Sequence, residues 1–270
     1  MANGEINATL SDREFAQFQE MIFRIAGISL ADSKKPLVAG RLHRRLRHHG
    51  LPSYADYFRL LGQSKDELQT AVDLLTTNET HFFREPKHFE FLRNRILAKH
   101  DGPRPFRIWS AASSSGQEAY SMAMLLTEAM GERPWEVFGS DISTKVLAQA
   151  RAGQYDMNQA HEIPKPYLQK YCLKGVGSQD GTFVIDPVLK KRVSFGQINL
   201  NERLPEVGQF DVIFLRNVLI YFQPETKRGV VARLLEKLRP GGWFVVGHSE
   251  SLNGIVTGLQ TEAASVYRKP

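Results

Sequence analysis

A strand, a loop of small residues and a helix follow one another immediately after a chain breaker, and this order restricts the fold more than any other feature. Phe106-Arg107-Ile108-Trp109 reads as the strand, Ser110 to Gly116 as the loop and Glu118 to Met130 as the helix. The alternation then repeats. Trp135 to Ser140 predicts a second strand ending in Asp141, Ser143 caps a helix carrying Val146, Leu147 and Ala150, and Phe210 to Leu215 is apolar enough for a parallel strand buried on both faces. A helix over Pro224 to Leu238, a Pro240-Gly241-Gly242 turn and strands over Trp243 to Val246 and Ala264 to Arg268 complete the series. Residues 106–270 are therefore predicted to form an α/β domain with a largely parallel sheet. Between about 155 and 190 the helical period is lost and Gly175, Gly177 and Gly181 punctuate short segments, which predicts a small antiparallel β insertion.

The preceding region reads as helical throughout. Ser11 and Glu14 form a capping box ahead of Phe15, Phe18, Ile22 and Ile25, Ser53 caps a helix with Tyr54, Tyr57 and Leu61, and Ser64 with Glu67 caps one with Leu68, Val72 and Leu75. Because Lys87 to Lys99 continues this pattern, an all-helical domain is expected over 1–97, with a linker to about 105 at the Asp101-Gly102-Pro103-Arg104-Pro105 breaker. In the segment 34–49, Val38, Leu42 and Leu46 mark the apolar stripe. Lys34, Arg41, Arg44, Arg45 and His48 fall mainly on the other side, with Arg47 on the flank and few acidic i+4 partners, so this face is a candidate contact for an acidic partner. The net charge of +6 points the same way. Val212 to Phe222, the longest apolar stretch, is broken by Arg216 and Asn217 and is well short of the ~20 residues that span a bilayer. Met1 to Glu5 lacks the features of a secretory signal, and the single cysteine, Cys172, offers neither an internal disulfide nor a cysteine zinc site, so a cytoplasmic location is expected. His43, His48 and His49 do not share one helix face, and no metal is expected.

Ligands of open α/β sheets bind at the carboxyl ends of the strands, where the Ser110 to Glu118 loop, Asp141 and Arg216-Asn217 should converge. An acidic residue ending the second strand can accept both ribose hydroxyls of an adenosine ligand, although a turn role is equally open to it. Ala111-Ala112-Ser113-Ser114-Ser115-Gly116-Gln117-Glu118 has a single glycine rather than G-x-G-x-x-G, and Glu118 would repel a pyrophosphate. A carboxylate there suits the amino group and sulfonium of S-adenosylmethionine, which favours a methyl donor over a dinucleotide.

Four stretches carry a resemblance. Asn78-Glu79-Thr80-His81-Phe82-Phe83-Arg84, Ser113 to Ser121, Phe210-Asp211 through Arg216-Asn217-Val218-Leu219-Ile220-Tyr221-Phe222, and Gly247-His248-Ser249-Glu250 resemble the signatures of the chemotaxis receptor glutamate O-methyltransferases, the CheR family, in the same order and over essentially the whole chain. The loop departs from the common Gly-Cys-Ser-Thr-Gly-Glu-Glu-Pro-Tyr pattern at Ala112, Ser113, Ser115, Gln117 and Ala119, while Gly116, Glu118 and Tyr120 keep their positions.

The resemblance implies a Rossmann-like S-adenosylmethionine-dependent methyltransferase domain with a β insertion behind a helical domain. It implies that Asn78, Thr80, Arg84, Gly116, Glu118, Asp141, Asn199, Leu200, Arg216 and Asn217 surround the cofactor, and that Arg84 and Tyr221 lie near the transferred methyl. The product is then S-adenosylhomocysteine, and the acceptor a glutamate on the cytoplasmic helices of transmembrane chemoreceptors, met by a monomer at receptor arrays through the basic face. The insertion either docks a receptor C-terminal peptide or uses its glycines for tight turns; both readings stay open. Two other classes are a nucleic-acid methyltransferase with the same cofactor and a non-catalytic adaptor. The first lacks an Asp/Asn-Pro-Pro-Tyr motif at Arg216-Asn217, and the second has no need of Arg84, Glu118, Asp141 and Tyr221 together.

Overall fold

The computed structural model describes residues 8–100, 102 and 104–270; Met1 to Glu5, and Asp101 and Pro103 of the breaker, lie outside the described residues. The chain divides into two compact units, one of residues 1–77 with Tyr221–Thr226 and one of Asn78–Ile220 with Lys227–Pro270.

In the first unit, α1 (Asp12–Ala26) begins at the Ser11–Glu14 capping box and stops at Gly27, whose φ of 73° lets the chain turn away. α2 (Lys35–His49), α3 (Tyr54–Leu61) and α4 (Lys65–Leu75) follow, with Ser53 and Ser64 accepting the amide bonds that cap the last two. Phe18, Ile22, Leu42, Leu46, Tyr57, Ala71 and Val72 are buried, as their helical spacing predicts. The basic face of α2 is less uniform than its sequence suggests. Arg41 Nη1 donates to the carbonyls of Leu74 and Thr76 at 3.0 Å each, closing the end of α4. Arg45 pairs with the buried Glu67 through Nε at 2.8 Å and Nη2 at 2.5 Å, and Tyr57 donates to the same carboxylate at 2.7 Å. Lys34, Arg44, Arg47 and His48 remain exposed. Arg41 and Arg45 are thus structural in the first instance, because the carbonyls and the carboxylate they bind come from α4 and its cap and not from i+4.

Burial works to raise the Glu67 pKa, but the bonds from Arg45, Tyr57 and His49 together with the Arg45 charge hold it down at about 2. A carboxyl depressed on folding stabilises the fold above its unfolded pKa, and that stabilisation is lost as the pH falls through the folded value. Glu67→Ala is expected to cost about 2–3 kcal/mol at pH 7 by leaving Arg45 and Tyr57 unpaired, and the cost should shrink between about pH 4.5 and pH 2. Chemical denaturation of both proteins across that range measures it.

The second unit is built on a seven-stranded sheet of β1 (Phe106–Ala111), β2 (Trp135–Asp141), β6 (Val193–Gln197), β7 (Phe210–Leu215), β8 (Leu238–Val246), β9 (Gln260–Ala263) and β10 (Val266–Arg268), in the order β6-β2-β1-β7-β8-β10-β9. β6, β2, β1, β7 and β8 run parallel, and β10 pairs antiparallel with β8 and β9. α6 (Gln117–Met130), α7 (Thr144–Ala152) and α10 (Pro224–Glu236) connect strands, and every residue of β7 is buried. A three-stranded antiparallel sheet, β3 (Gln154–Asp156), β5 (Thr182–Ile185) and β4 (Cys172–Lys174), forms the insertion.

Three expectations differ from this arrangement. The domain boundary expected within 97–105 falls instead at Thr77/Asn78, because α5 (Pro86–Phe91) and the turns after it place Phe89, Leu92, Ile96 and Leu97 in one apolar cluster with Ala119, Met122, Leu126 and Val137. The helical period is not lost throughout the insertion, since α8 (Lys165–Tyr171) and the short α9 (Pro187–Lys190) start at Lys165-Pro166 and Pro187, where proline fits a first turn. Pro240-Gly241-Gly242 does not end a segment but lies inside β8. Gly241, at φ 72°, donates to Lys269 at 2.9 Å and Gly242 accepts from Lys269 at 2.9 Å, so the register against β7 shifts without breaking. Among the insertion's glycines, a Cβ at Gly175 would stand 2.0 Å from the Gln179 carbonyl, and Gly177 and Gly181 have φ of 61° and 81°. All three are needed for the turn itself.

Candidate functional site at the strand ends

At the carboxyl ends of β1, β2 and β7 the loop after β1, Asp141, and Arg216-Asn217 come together with the Asn78–Glu85 segment, all within the second unit. Asp141 is buried and accepts from the backbone amides of Ser114 and Ser143, both at 2.9 Å, one on each carboxylate oxygen. Two such bonds fix the plane of the carboxylate. Ile198 donates to the Asp141 carbonyl at 3.0 Å, which draws the Asn199-Leu200 turn to the same strand end. Asn199 Oδ1 accepts from the amide of Asn201 at 3.0 Å, and the Leu200 carbonyl accepts from Arg233.

Gly116 has φ 94°, and a Cβ there would lie 2.9 Å from Ala150 Cβ and 3.2 Å from the Phe195 ring. The position therefore requires glycine on two grounds, conformation and packing. The Ser114 hydroxyl donates to the Asn78 carbonyl at 2.8 Å and the Phe83 amide to Ser121 Oγ at 2.9 Å, so the Asn78–Arg84 segment is tied onto the loop and onto α6. Thr80 and Arg84 are half-buried there, and Arg84 Nη1 donates to the Glu79 carbonyl at 3.0 Å.

The electrostatic centre is Arg216, whose side chain is only 1% exposed. It donates through Nη1 to Glu118 Oε2 at 2.9 Å, and through Nη2 to Glu85 Oε2 at 2.9 Å and the Arg84 carbonyl at 2.6 Å. Glu118 is not the isolated carboxylate that its place at a helix start suggests, because Ser110 Oγ donates to its other oxygen at 2.6 Å. Asn217, at φ 57°, donates through its amide side chain to Glu85 at 3.1 Å and through its backbone to Glu250 Oε2 at 2.8 Å. Glu250 also receives the Gly247 amide at 2.7 Å. Burial works to raise the Glu85 pKa, but the charge of Arg216 and the bonds from Asn217, Arg216 and His248 hold it at about 2.

Glu85 and Glu250 were not singled out from the sequence as site residues. Glu250 ends one of the four stretches that carry the resemblance, and Glu85 directly follows the Arg84 that ends another. Backbone conformation marks the same place: of the six non-glycine residues with positive φ among the described residues, Phe83, Glu85, Ala112, Ser114 and Asn217 all lie here. Such conformations each cost of order 1–3 kcal/mol and persist where the surroundings hold them.

Other candidates separate. Tyr120 is 1% exposed, donates to the Ala150 carbonyl at 2.7 Å and packs on Tyr155 and Phe195, so it is a packing residue. Phe82 packs on Tyr155 and Phe183, and Phe83 stacks on Tyr167. Tyr221 ends the turn Leu219–Tyr221 and belongs to the first unit, where its carbonyl accepts from Ser29 at 2.8 Å, whereas Arg84 belongs to the second. Lys34, Arg41, Arg44, Arg45 and His48 also lie in the first unit, on or beside α2.

The site offers acceptors in two places, a rigid carboxylate at the end of β2 and an acidic cluster around one arginine. That set of acceptors fits a ligand with a diol at one end and a positively charged amino acid part at the other. Residues 78–267 match the family described as CheR methyltransferase, SAM binding domain, and residues 13–76 match CheR methyltransferase, all-alpha domain. A chemotaxis protein methyltransferase 2 of Pseudomonas aeruginosa is 43% identical over 92% of this chain and 89% of its own length. Chemotaxis protein methyltransferases of Salmonella typhimurium and Escherichia coli are each 39% identical over 96% of this chain, and over 90% and 91% of their own lengths.

Proposed function

The chain belongs to the CheR methyltransferase family, and from that premise we propose which of its residues hold the methyl donor and which orient the acceptor. The protein is an S-adenosylmethionine-dependent methyltransferase of chemotaxis, a protein-glutamate O-methyltransferase. The anchored Asp141 carboxylate carries the cofactor assignment: it receives the ribose hydroxyls, while Glu118 and the residues joined to it through Arg216 face the amino acid part. Asn78, Thr80, Arg84, Asn199, Leu200 and Asn217 would hold the rest of the cofactor.

The cofactor supplies an electrophilic methyl bound to sulfonium. The nucleophile needs no general base, because a glutamate with an ordinary pKa of ~4.3 is ionised at pH 7. The chain's contribution is therefore alignment, which can be worth ~7–11 kcal/mol in favourable cases. Arg84 presents a planar fork to the acceptor carboxylate and Tyr221 one hydroxyl donor. Arg84→Ala and Tyr221→Phe are each expected to lower turnover; unchanged turnover in both variants would overturn this division.

The acceptor is a glutamate on the cytoplasmic helices of a chemoreceptor, and the exposed cations of the α2 face steer the acidic surface toward the enzyme. Arg41 and Arg45 hold the helical unit together, so a clean test reverses only Lys34, Arg44, Arg47 and His48. The quadruple change to Glu is expected to lower kcat/KM for receptor membranes about 10- to 100-fold at low salt, with a smaller loss at high salt, and to leave cofactor affinity unchanged. Steady-state methylation at two ionic strengths measures both. The remaining assignments are that the enzyme works as a monomer in the cytoplasm beside receptor arrays, and that the β insertion receives a receptor C-terminal peptide by strand addition. Among the described residues no helix is long and apolar enough to cross a membrane.

A further inference from the structure

Glu85, His88 and His248 come from two separate segments of the chain and meet beside the Arg216 cluster. Glu85 Oε2 lies 3.3 Å from Nδ1 of His88 and 4.0 Å from Nε2 of His248. One ligand atom from each of the three residues can be chosen so that all lie within 4.8 Å of one another. The two imidazole rings are 4.6 Å apart between centroids and nearly perpendicular. His88 is 3% exposed, and neither of its ring nitrogens has a hydrogen-bond partner. A buried imidazole with both nitrogens unsatisfied is costly, and it requires a reason.

A tetrahedral ion with nitrogen and carboxylate ligands at about 2.0–2.2 Å holds its ligand atoms roughly 3.3–3.6 Å apart. The Glu85–His88 separation already has that value, the Glu85–His248 contact needs a contraction of well under an ångström, and the widest of the three separations, up to 4.8 Å, needs one of more than an ångström. The hydrogen-bonded group is also short of positive charge, because among the described residues Glu85, Glu118 and Glu250 stand against Arg216 alone. Glu85 Oε2 already accepts from Arg216 Nη2 at 2.9 Å and from the His248 amide at 3.1 Å, so an ion takes the place of one of these bonds, which lowers the affinity below that of a four-ligand structural site. The geometry points to a divalent transition-metal site formed by Glu85, His88 and His248, with zinc the ion whose geometry and ligand preference fit.

The two histidines have separate parts in it. His88 supplies the buried ligand, with both ring nitrogens unpartnered. His248, with a side chain 44% exposed, closes the site on the solvent side and leaves the fourth position to water. Glu85 also holds Arg216 and Asn217, so an ion here would stiffen the strand end next to the donor site.

The test uses the full chain stripped with a chelator, titrated with Zn²⁺ by calorimetry and with Co²⁺ by visible absorption. The expected result is one equivalent of Zn²⁺ per chain and the absorption of tetrahedral Co²⁺, with Zn²⁺ affinity falling at least about tenfold in His248→Gln and in His88→Gln. The triple variant His43→Gln, His48→Gln, His49→Gln controls for the histidines around α2 and should bind as the parent does. Circular dichroism checks each fold, and the exposed His248 decides the matter if His88→Gln unfolds. No binding to the parent, binding undiminished in His248→Gln, or binding lost only in the triple variant would each overturn the assignment.

Discussion

Arg216→Met is expected to lower stability by about 3–5 kcal/mol and to abolish detectable binding of S-adenosylmethionine. The guanidinium is almost wholly buried and compensates two carboxylates at 2.9 Å, so its removal leaves Glu85 and Glu118 facing each other without a counter-charge. A methionine fills much of the volume, so the loss reports charge rather than a cavity. The triple variant Arg216→Met, Glu85→Gln, Glu118→Gln should therefore regain part of the stability, because replacing every charged member of a buried group costs less than removing one. Denaturant midpoints of the parent, single and triple variants measure the difference. A single variant as stable as the parent would mean that solvent already screens the pair.

Asp141→Ala should raise the dissociation constant for S-adenosylmethionine about 100-fold, which corresponds to roughly 2.7 kcal/mol, the scale of two hydrogen bonds to a charged acceptor. The same change frees the amides of Ser114 and Ser143, which loosens the loop containing Gly116 and adds a stability loss of about 2 kcal/mol. Asp141→Asn separates the two effects. One amide oxygen can still take a loop N–H, so the fold should suffer less than it does in Asp141→Ala, while the diol loses one of its acceptors. Calorimetry with the cofactor and a denaturation curve on each variant give both numbers. Equal affinity in parent and Asp141→Ala would place the ribose elsewhere.

The parts of the fold that sequence made legible are those set by local rules. The capping serines, the stripe of Val38, Leu42 and Leu46, the strand–loop–helix at Phe106 to Met130 and the fully buried β7 all follow from spacing and residue type. β6 was hidden because Val193-Ser194-Phe195-Gly196-Gln197 lies directly after the insertion, and its strand character depends on pairing in parallel with β2. The division at Thr77/Asn78 has no breaker of its own; it depends on where Phe89, Leu92 and Ile96 find apolar partners. At the site, Asp141 and Gly116 were readable because each satisfies a backbone requirement. The Arg216 pairing was not, since Glu85, Glu118 and Arg216 are widely separated in sequence and their union is a tertiary fact. The same reason concealed the Arg45–Glu67 pair and the bonds of Arg41 to the Leu74 and Thr76 carbonyls, which together turn two cations of a seemingly open face into internal ties.

The central claim is carboxyl methylation of receptor glutamates, and transfer from methyl-labelled S-adenosylmethionine tests it most directly. Receptor-containing membranes and, in parallel, RNA and DNA are incubated with the enzyme, and the methanol released by mild base is scored. The account predicts label on membrane protein that mild base releases as methanol, and none on nucleic acid. Base-stable label on RNA or DNA, or no transfer to receptors by a protein shown to bind the cofactor, would contradict it.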